Sequence, residues 1–515
     1  MAVVLNKLQK KAESEIKLFL TNDVLNFMLL TGPAGSGKTF ITSKCLPING
    51  VFYAAFTNKA SKVLKTNVIK HINGAGCKFA TIHKMLMLEP QIKDTYVPSV
   101  ILDAGSKPKK VEGDVKISLS DLEAEPSLEE GVEVKRDNDD PDSDGEYVEK
   151  LCFLYDYKKT EYLKEYPVWV FDECSTISTE LWAYICSTFR YMKLCGVNIK
   201  MLFLGDVYQL PPVGEKSTCV FDIADSEWPV AKLSKIMRAE NDMMLEVNKN
   251  MYRFMQDMKY GLDDYPENLI GEHYDSLLIN SKQLIDKYIA DECKDRIILT
   301  YTNSNMRDIN NKIQNILDGK IYESEKQRWF NVGDRCILDN VVSTSLHEKN
   351  GEVYSFKKIL KDLIYSGDVY LVDKVEMCLV KTNISGLLPS IGNFTAQRLE
   401  ITNVSDPSET HVVFWLDVEA VKKAKYALRR SVKYRNVYSL LIKSFNDVYP
   451  NMERGYCMTV YKAQGSQYDS VYVNLNSFYY VFKDKVAEYM NLYKATYTAC
   501  SRAKTKLGVS FYIKK

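Results

Sequence analysis

The feature that most limits what this chain can fold into is FMLLTGPAGSGKTFITSK, from Phe27 to Lys44. An apolar run from Phe27 to Leu30 meets a glycine-rich turn, Gly32 to Gly37, and continues into helix-compatible residues from Lys38. The stretch therefore reads as strand, loop and helix. Gly32, Gly35, Ser36 and Gly37 leave the turn nearly bare of side chains, so backbone N–H groups can converge on a phosphate at a helix N-terminus. Lys38 is then expected to reach the β- and γ-phosphates of ATP or GTP, and Thr39 to hold Mg2+.

At 515 residues the chain is too long for one ordinary core, so two to four domains are expected. A hydrophobic content of 46% with 26% charged residues fits a soluble globular protein. The first residues, MAVVLNKLQKKAESEIK, gain charge too early for a signal peptide, and no run approaches 18 apolar residues. The expectation is a protein that stays off membranes and works in a cytoplasmic or nuclear compartment. Twelve cysteines without a CxxC pair fit reduced thiols better than disulfides or a zinc site. The net charge of +1 hides an uneven distribution. Residues 121–149 hold thirteen acidic side chains against Lys135 and Arg136, a balance of −11, so the remainder carries +12. A basic body with one acidic, aromatic-poor segment suggests a polyanion-binding surface and a largely disordered loop.

Upstream of the P-loop, residues 3–20 have helical periodicity, and Gln9 within them could read adenine with both faces of its amide. After it, Val51 to Phe56 suits a buried parallel strand, with Thr57, Asn58 and Lys59 emerging at its carboxyl end. Such groups suit the phosphates of a nucleic-acid backbone, and equally an ordinary helix cap. Thr81 and His83 in ATIHKML offer further groups to the same surface. VWVFDECSTI, Val168 to Ile177, is an apolar strand ending in Asp172 and Glu173. Asp172 would hold Mg2+ through water, and Glu173 would act as general base on the attacking water. In KMLFLGDVYQLPPVG, Gln209 could sense the γ-phosphate while Pro211 and Pro212 stiffen the turn. Arg238 is a candidate arginine finger. A second strand, turn and helix pattern follows at Arg296 to Ile313, with further segments at Gly455 to Leu475 and Tyr493 to Tyr512. Between them, alternating segments predict a small inserted barrel. The run Lys422 to Arg435, with seven cations in fourteen positions, is a candidate nucleic-acid contact or a solvated helix.

Taken together, GPAGSGKT, FTNKA, TIHKML, VFDECS, GDVYQLPPVG, TVYKAQGSQYDSV and TACSRAK resemble, in order, the motifs of superfamily 1B DNA helicases of the RecD-like and Dda-like group. The resemblance implies two RecA-like lobes with parallel sheets that sandwich ATP. Residues 1–87 and 166–240 would form lobe 1A, and 241–340 with 446–515 lobe 2A. A 1B domain would be inserted at 88–165, with its acidic segment at 121–149. An SH3-like 2B barrel would be inserted at 341–445. By the same resemblance Arg502, from the second lobe, and Arg238 look like arginine fingers on the nucleotide. Gln464 and Gly465 lie near the γ-phosphate, and Thr459 and Lys462 near the strand backbone. Tyr461 stands where the family usually has His, and Cys174 where it usually has Ala. The implied partners are single-stranded and forked duplex DNA, with replication or recombination proteins possible, and the implied movement is 5′ to 3′. Rival readings are an RNA helicase of the same superfamily, a P-loop ATPase that acts on protein as a switch or loader, and a nucleic-acid-binding module without catalysis.

Overall fold

The computed structural model describes residues 5–47, 49–70, 76–98, 145–237, 242–257, 261–262, 265–280, 283–319, 329–364, 366–387, 393–431, 433–434 and 437–511. The first lobe is built on β1 (Phe27–Thr31), β2 (Asn49–Ala55), β3 (Gly76–Thr81), β6 (Val168–Phe171), β7 (Lys200–Gly205) and β8 (Val230–Lys232). Every pairing is parallel, in the order β3-β2-β6-β7-β1-β8. Side chains alternate across a pleated strand. Phe27 and Leu29 accordingly enter one apolar core with Trp169, Phe203 and Trp228, while Met28 and Leu30 enter the other with Ile41, Tyr53 and Leu204. A sheet buried on both faces has continuous apolar strands, which is why these runs were readable one by one.

Two strands, β4 (Glu89–Pro98) and β5 (Gly145–Leu154), form an antiparallel ribbon that leaves this lobe, with Glu89 opposite Leu154 and Pro98 opposite Gly145. Residues 99–144 between them, with most of the acidic segment, lie outside the described residues. The expected disorder of 121–149 is corrected at its end, because 145–149 are ladder-paired in β5. The 1B insert is also shorter than 88–165. The 3-10 helix Tyr157–Glu165 packs on lobe 1, with Leu163 in its core and the Tyr162 hydroxyl donating to the Met85 carbonyl at 2.7 Å.

The second lobe is another parallel sheet, ordered β18-β10-β19-β20-β9. Its strands are β9 (Leu278–Ile279), β10 (Arg296–Thr300), β18 (Cys457–Thr459), β19 (Tyr468–Asn474) and β20 (Ala503–Ser510). Helices Asp242–Asp257 and Tyr489–Cys500 cover one face, and helix Asn303–Asp318 the other.

The inserted barrel-like domain is a branched, mostly antiparallel sheet of β11 (Arg335–Leu338), β12 (Val342–Asn350), β13 (Val353–Ile364), β14 (Val369–Lys381), β15 (Phe394–Asn403), β16 (Thr410–Leu416) and β17 (Met452–Arg454). It encloses one core around Tyr370, Leu399 and Trp415. A second core lies beneath helices Val418–Arg430 and Tyr438–Asn446. The expected limits 341–445 are therefore too narrow, since β11 pairs with β14 on one side and with β17 on the other. Most of the basic run lies on helix Val418–Arg430 and just beyond it, with Lys423, Tyr426 and Arg430 exposed and Ala424 and Leu428 buried.

Candidate active site

The P-loop, the Asp172–Glu173 pair and the Asp206 turn all follow the carboxyl ends of adjacent strands, the edge where open α/β sheets bind ligands. Gly37 has φ of +91° and opens helix Lys38–Cys45, and a Cβ there would sit 2.9 Å from the Gln9 amide nitrogen. Gly32 tolerates no side chain either, since a Cβ would lie 2.2 Å from the Leu233 carbonyl oxygen. The Lys38 ammonium donates to the Gly32 and Pro33 carbonyls at 2.6 and 3.1 Å, so it is already folded over the loop. The Ser36 hydroxyl oxygen is buried without a hydrogen-bond partner, as a donor waiting on an anion would be.

Thr39 donates to Asp172 Oδ2 at 3.3 Å, which brings the two expected Mg2+ holders together. Burial and the adjacent Glu173 push the Asp172 carboxyl up to about 6, against the pull of Lys38. A divalent cation would reverse that shift, so the donor set fits the metal. Glu173 lines the cleft and holds φ of +52°, an uncommon strain for a residue with a Cβ.

One cleft of about 930 Å³ lies between the lobes. Gly35, Ser36, Gly37, Lys38, Thr39, Asp172 and Glu173 line it from lobe 1, and Gly465, Ser466 and Arg502 from lobe 2. Arg502 is buried, and its guanidinium donates to the Thr498 and Ser466 carbonyls and the Ser501 hydroxyl at 3.0, 3.3 and 3.2 Å. Its position is thus held by its own lobe. Arg238 lies outside the described residues.

Gln9 lines the cleft, but its amide also closes a capping box with Asn6 and donates to the Ser36 carbonyl at 3.4 Å. That leaves only part of the amide for a base. Neither Gln209 nor Gln464, expected near the γ-phosphate, lines this cleft. They belong to the contact between lobes. Gln464 donates to the Leu210 carbonyl at 3.2 Å, the Leu210 N–H to Thr498 Oγ1 at 3.1 Å, and the Tyr497 hydroxyl to Asp206 Oδ2 at 2.7 Å. Leu210 itself is buried in the core of the second lobe. Gln209 is buried there with its Oε1 unpartnered.

Several residues expected at the strand backbone have partners inside the protein. Thr57 Oγ1 caps helix Asn58–Ile69 by accepting from the Ala60 N–H at 3.0 Å, and Thr81 Oγ1 accepts from the Lys84 N–H at 3.2 Å. Lys462 pairs with Asp339 and Glu453 at 2.7 and 3.3 Å. The Thr459 hydroxyl accepts from the Lys462 N–H at 3.4 Å and is buried. Lys59 is half-buried, with its ammonium 3.1 Å from Asp368 on the inserted domain, and it lines the cleft. His83 packs between Phe56 and Phe153, with burial pushing its pKa down, while Asn58 is half-buried. Tyr461 sets its hydroxyl 3.4 Å from that of Tyr301.

Sequence reasoning missed Lys504, Asp295 and Asp469, which also line the cleft. Lys504 bridges Asp469 and Asp295 at 2.8 and 3.4 Å. Its signal was available, since it stands two residues beyond Arg502 at the start of β20, where alternate residues share a face.

The fold and cleft define a two-lobed P-loop protein of mixed α/β class. Residues 5–257 match the family model described as AAA domain, AAA_30. Over 555 aligned residues the chain is 23% identical to an uncharacterized protein, R530, of Acanthamoeba polyphaga mimivirus, covering 98% of this chain and 99% of that one. Among solved structures it is similar to Bacteroides Pif1 bound to single-stranded DNA, with 14% identity, TM-score 0.45, and 99% and 93% of the two chains covered. It is also similar to the Pif1 helicase of Candida albicans, with 14% identity, TM-score 0.44, and 99% and 95% covered. Among the described residues no helix is long and apolar enough to cross a membrane.

Proposed function

We propose that this protein is an ATP-dependent DNA helicase or translocase that moves 5′ to 3′ on single-stranded DNA by nucleotide-gated closure of its two lobes. The observation that carries the reading is that the P-loop and Arg502, 464 residues apart in sequence, line one cleft between two parallel sheets. ATP would seat its triphosphate on the N–H groups of Gly35 to Thr39, with Lys38 leaving the loop carbonyls for phosphate oxygens. Thr39 and Asp172 would hold Mg2+, which neutralises charge between the β- and γ-phosphates. Glu173 would accept the proton of the attacking water, and Arg502 would offset charge on the departing phosphoryl group. Closure would be felt at once in the Asp206 to Leu210 turn, because Tyr497, Thr498 and Gln464 grip it from the other lobe.

DNA as the track is supported by the motif resemblance to superfamily 1B enzymes. The exposed ring of Phe56, beside Asn58 and His83 at the carboxyl end of β2, supports a place for a base to stack. The test is unwinding of forked duplexes with a 5′ or a 3′ single-stranded tail, together with ATPase activity measured with and without DNA or RNA. The reading expects ATP turnover stimulated by single-stranded DNA and strand separation only from the 5′ tail. Turnover indifferent to nucleic acid would point instead to a switch or loader, and stronger stimulation by RNA to an RNA helicase.

A further inference from the structure

The inserted domain reaches the nucleotide cleft at a point that the lobe mechanism does not use. Helix Asn58–Ile69 of lobe 1 is held by this domain at two places. Lys62 pairs with Glu409 and Asp406, in the β15–β16 turn, at 2.6 and 3.5 Å on the surface. Lys59, half-buried one turn earlier, faces Asp368 at the start of β14. Val404 and Ser405 from the same turn line the cleft beside Val63, Leu64 and Asn67.

Lys59 is the unusual member. Its side chain is 13% exposed, and that of Asp368 is 5% exposed. The 3.1 Å approach to Asp368 engages only part of a three-donor ammonium, which is buried within a cleft lined by the P-loop. The Tyr468 ring lies 5.2 Å from it. Burial opposes the charge, but Tyr468 and Asp368 outweigh it, and on balance the ammonium is held above its ordinary value. A charged lysine with donors to spare, in a cleft that the P-loop lines, can be shared between Asp368 and an incoming anion, with Asp295 further along the same cleft.

We propose that Lys59 is a further phosphate-binding residue of this cleft, and that the triphosphate and Asp368 compete for its ammonium. Resting on the ATPase reading above, this makes the inserted domain responsive to nucleotide. With the cleft empty, Asp368 holds Lys59 and ties the insert to lobe 1. With ATP bound, phosphate oxygens share the ammonium and that tie weakens. Because linkage is reciprocal, anything that pulls the insert away from lobe 1 tightens ATP binding by the same factor.

The competition has a sign that a purely structural ion pair lacks. Isothermal titration of the full chain with ATP is compared for wild type, D368N and the neutral pair K59M/D368N, with thermal melting confirming that each is folded. The double variant avoids leaving a buried carboxylate unpaired. D368N should bind ATP at least about 5-fold more tightly than wild type, and K59M/D368N at least about 5-fold more weakly than D368N. In the wild type, saturating ATP should quicken amide hydrogen exchange at Gly367 to Tyr370. Weaker ATP binding by D368N, or equal affinity of D368N and K59M/D368N, overturns the proposal. Failure of the wild type to bind ATP at all would overturn the ATPase reading, and is seen before any variant is compared.

Discussion

At the scale of single residues, the cleft sets charge against burial. Lys38 is the group whose donors would pass from the Gly32 and Pro33 carbonyls to a phosphate, so Lys38→Ala should lower ATP turnover by about 10²- to 10³-fold. A melting temperature close to that of the wild type would show that only chemistry was lost. Unwinding near the wild-type rate would remove the P-loop from the mechanism. Asp172 makes a prediction in pH. Its folded carboxyl is raised from 3.8 to about 6, chiefly by burial, so the ligand-free fold binds this proton more readily than the unfolded chain does. That contribution to stability is present at acid pH and is lost as pH rises from 3.8 toward about 6. Mg2+ needs the ionised form, so catalysis runs in the opposite sense. The kcat/KM for ATP should fall as pH drops below about 6, and added Mg2+ should shift that limb toward lower pH. A flat profile across the window would take Asp172 out of the metal site.

At the scale of elements, residues read as ligands also start helices. Thr57 and Thr81 show this, because each hydroxyl oxygen accepts a first-turn helical N–H on one lone pair and keeps its O–H able to donate. Sequence alone left Thr57 poised between cap and ligand, and the folded chain shows the cap while the O–H stays able to donate. Gly465 is the counterpart on the opposing lobe. It holds φ of +75°, and a Cβ there would lie 3.1 Å from the Ala60 Cβ, so the turn of one lobe passes directly over the helix start of the other. Gly465→Ala should cost about 1–2 kcal/mol in stability and should also impair closure. Denaturant melts measure the first effect, and ATP turnover at saturating DNA the second. A variant with full stability and full turnover would show that the close approach has no mechanical role.

At the scale of the molecule, coupling between lobes runs through a few polar contacts set around a buried apolar plug, Leu210. Tyr497→Phe removes the 2.7 Å bond to buried Asp206 and should cost about 1–3 kcal/mol, mostly at this interface. Small-angle scattering of the ATP-free protein should then report a wider separation of the lobes, with loss of DNA stimulation larger than loss of basal ATPase. Equal losses of both would mean that the bond supports only the local fold. The acidic segment is tested by deleting residues 121–144, which leaves β5 whole from Gly145. DNA-stimulated ATPase should remain largely intact, and its collapse in a folded variant would make the segment part of the machinery.

The parallel sheets, the P-loop and the acidic pair at the end of β6 were legible in the chain because each is local. A buried strand needs an unbroken apolar run, and a phosphate loop needs glycines at fixed spacing, whatever surrounds them. Contacts between distant segments were not legible. Nothing near Lys59 announces Asp368, nothing near Gln464 announces Leu210, and nothing near Asp206 announces Tyr497. Each of these side chains could equally have met a ligand, water or a phosphate. Packing the two lobes and the insert together removed water from those groups and left each with the partner that happened to face it, and only the folded chain could decide which one that was.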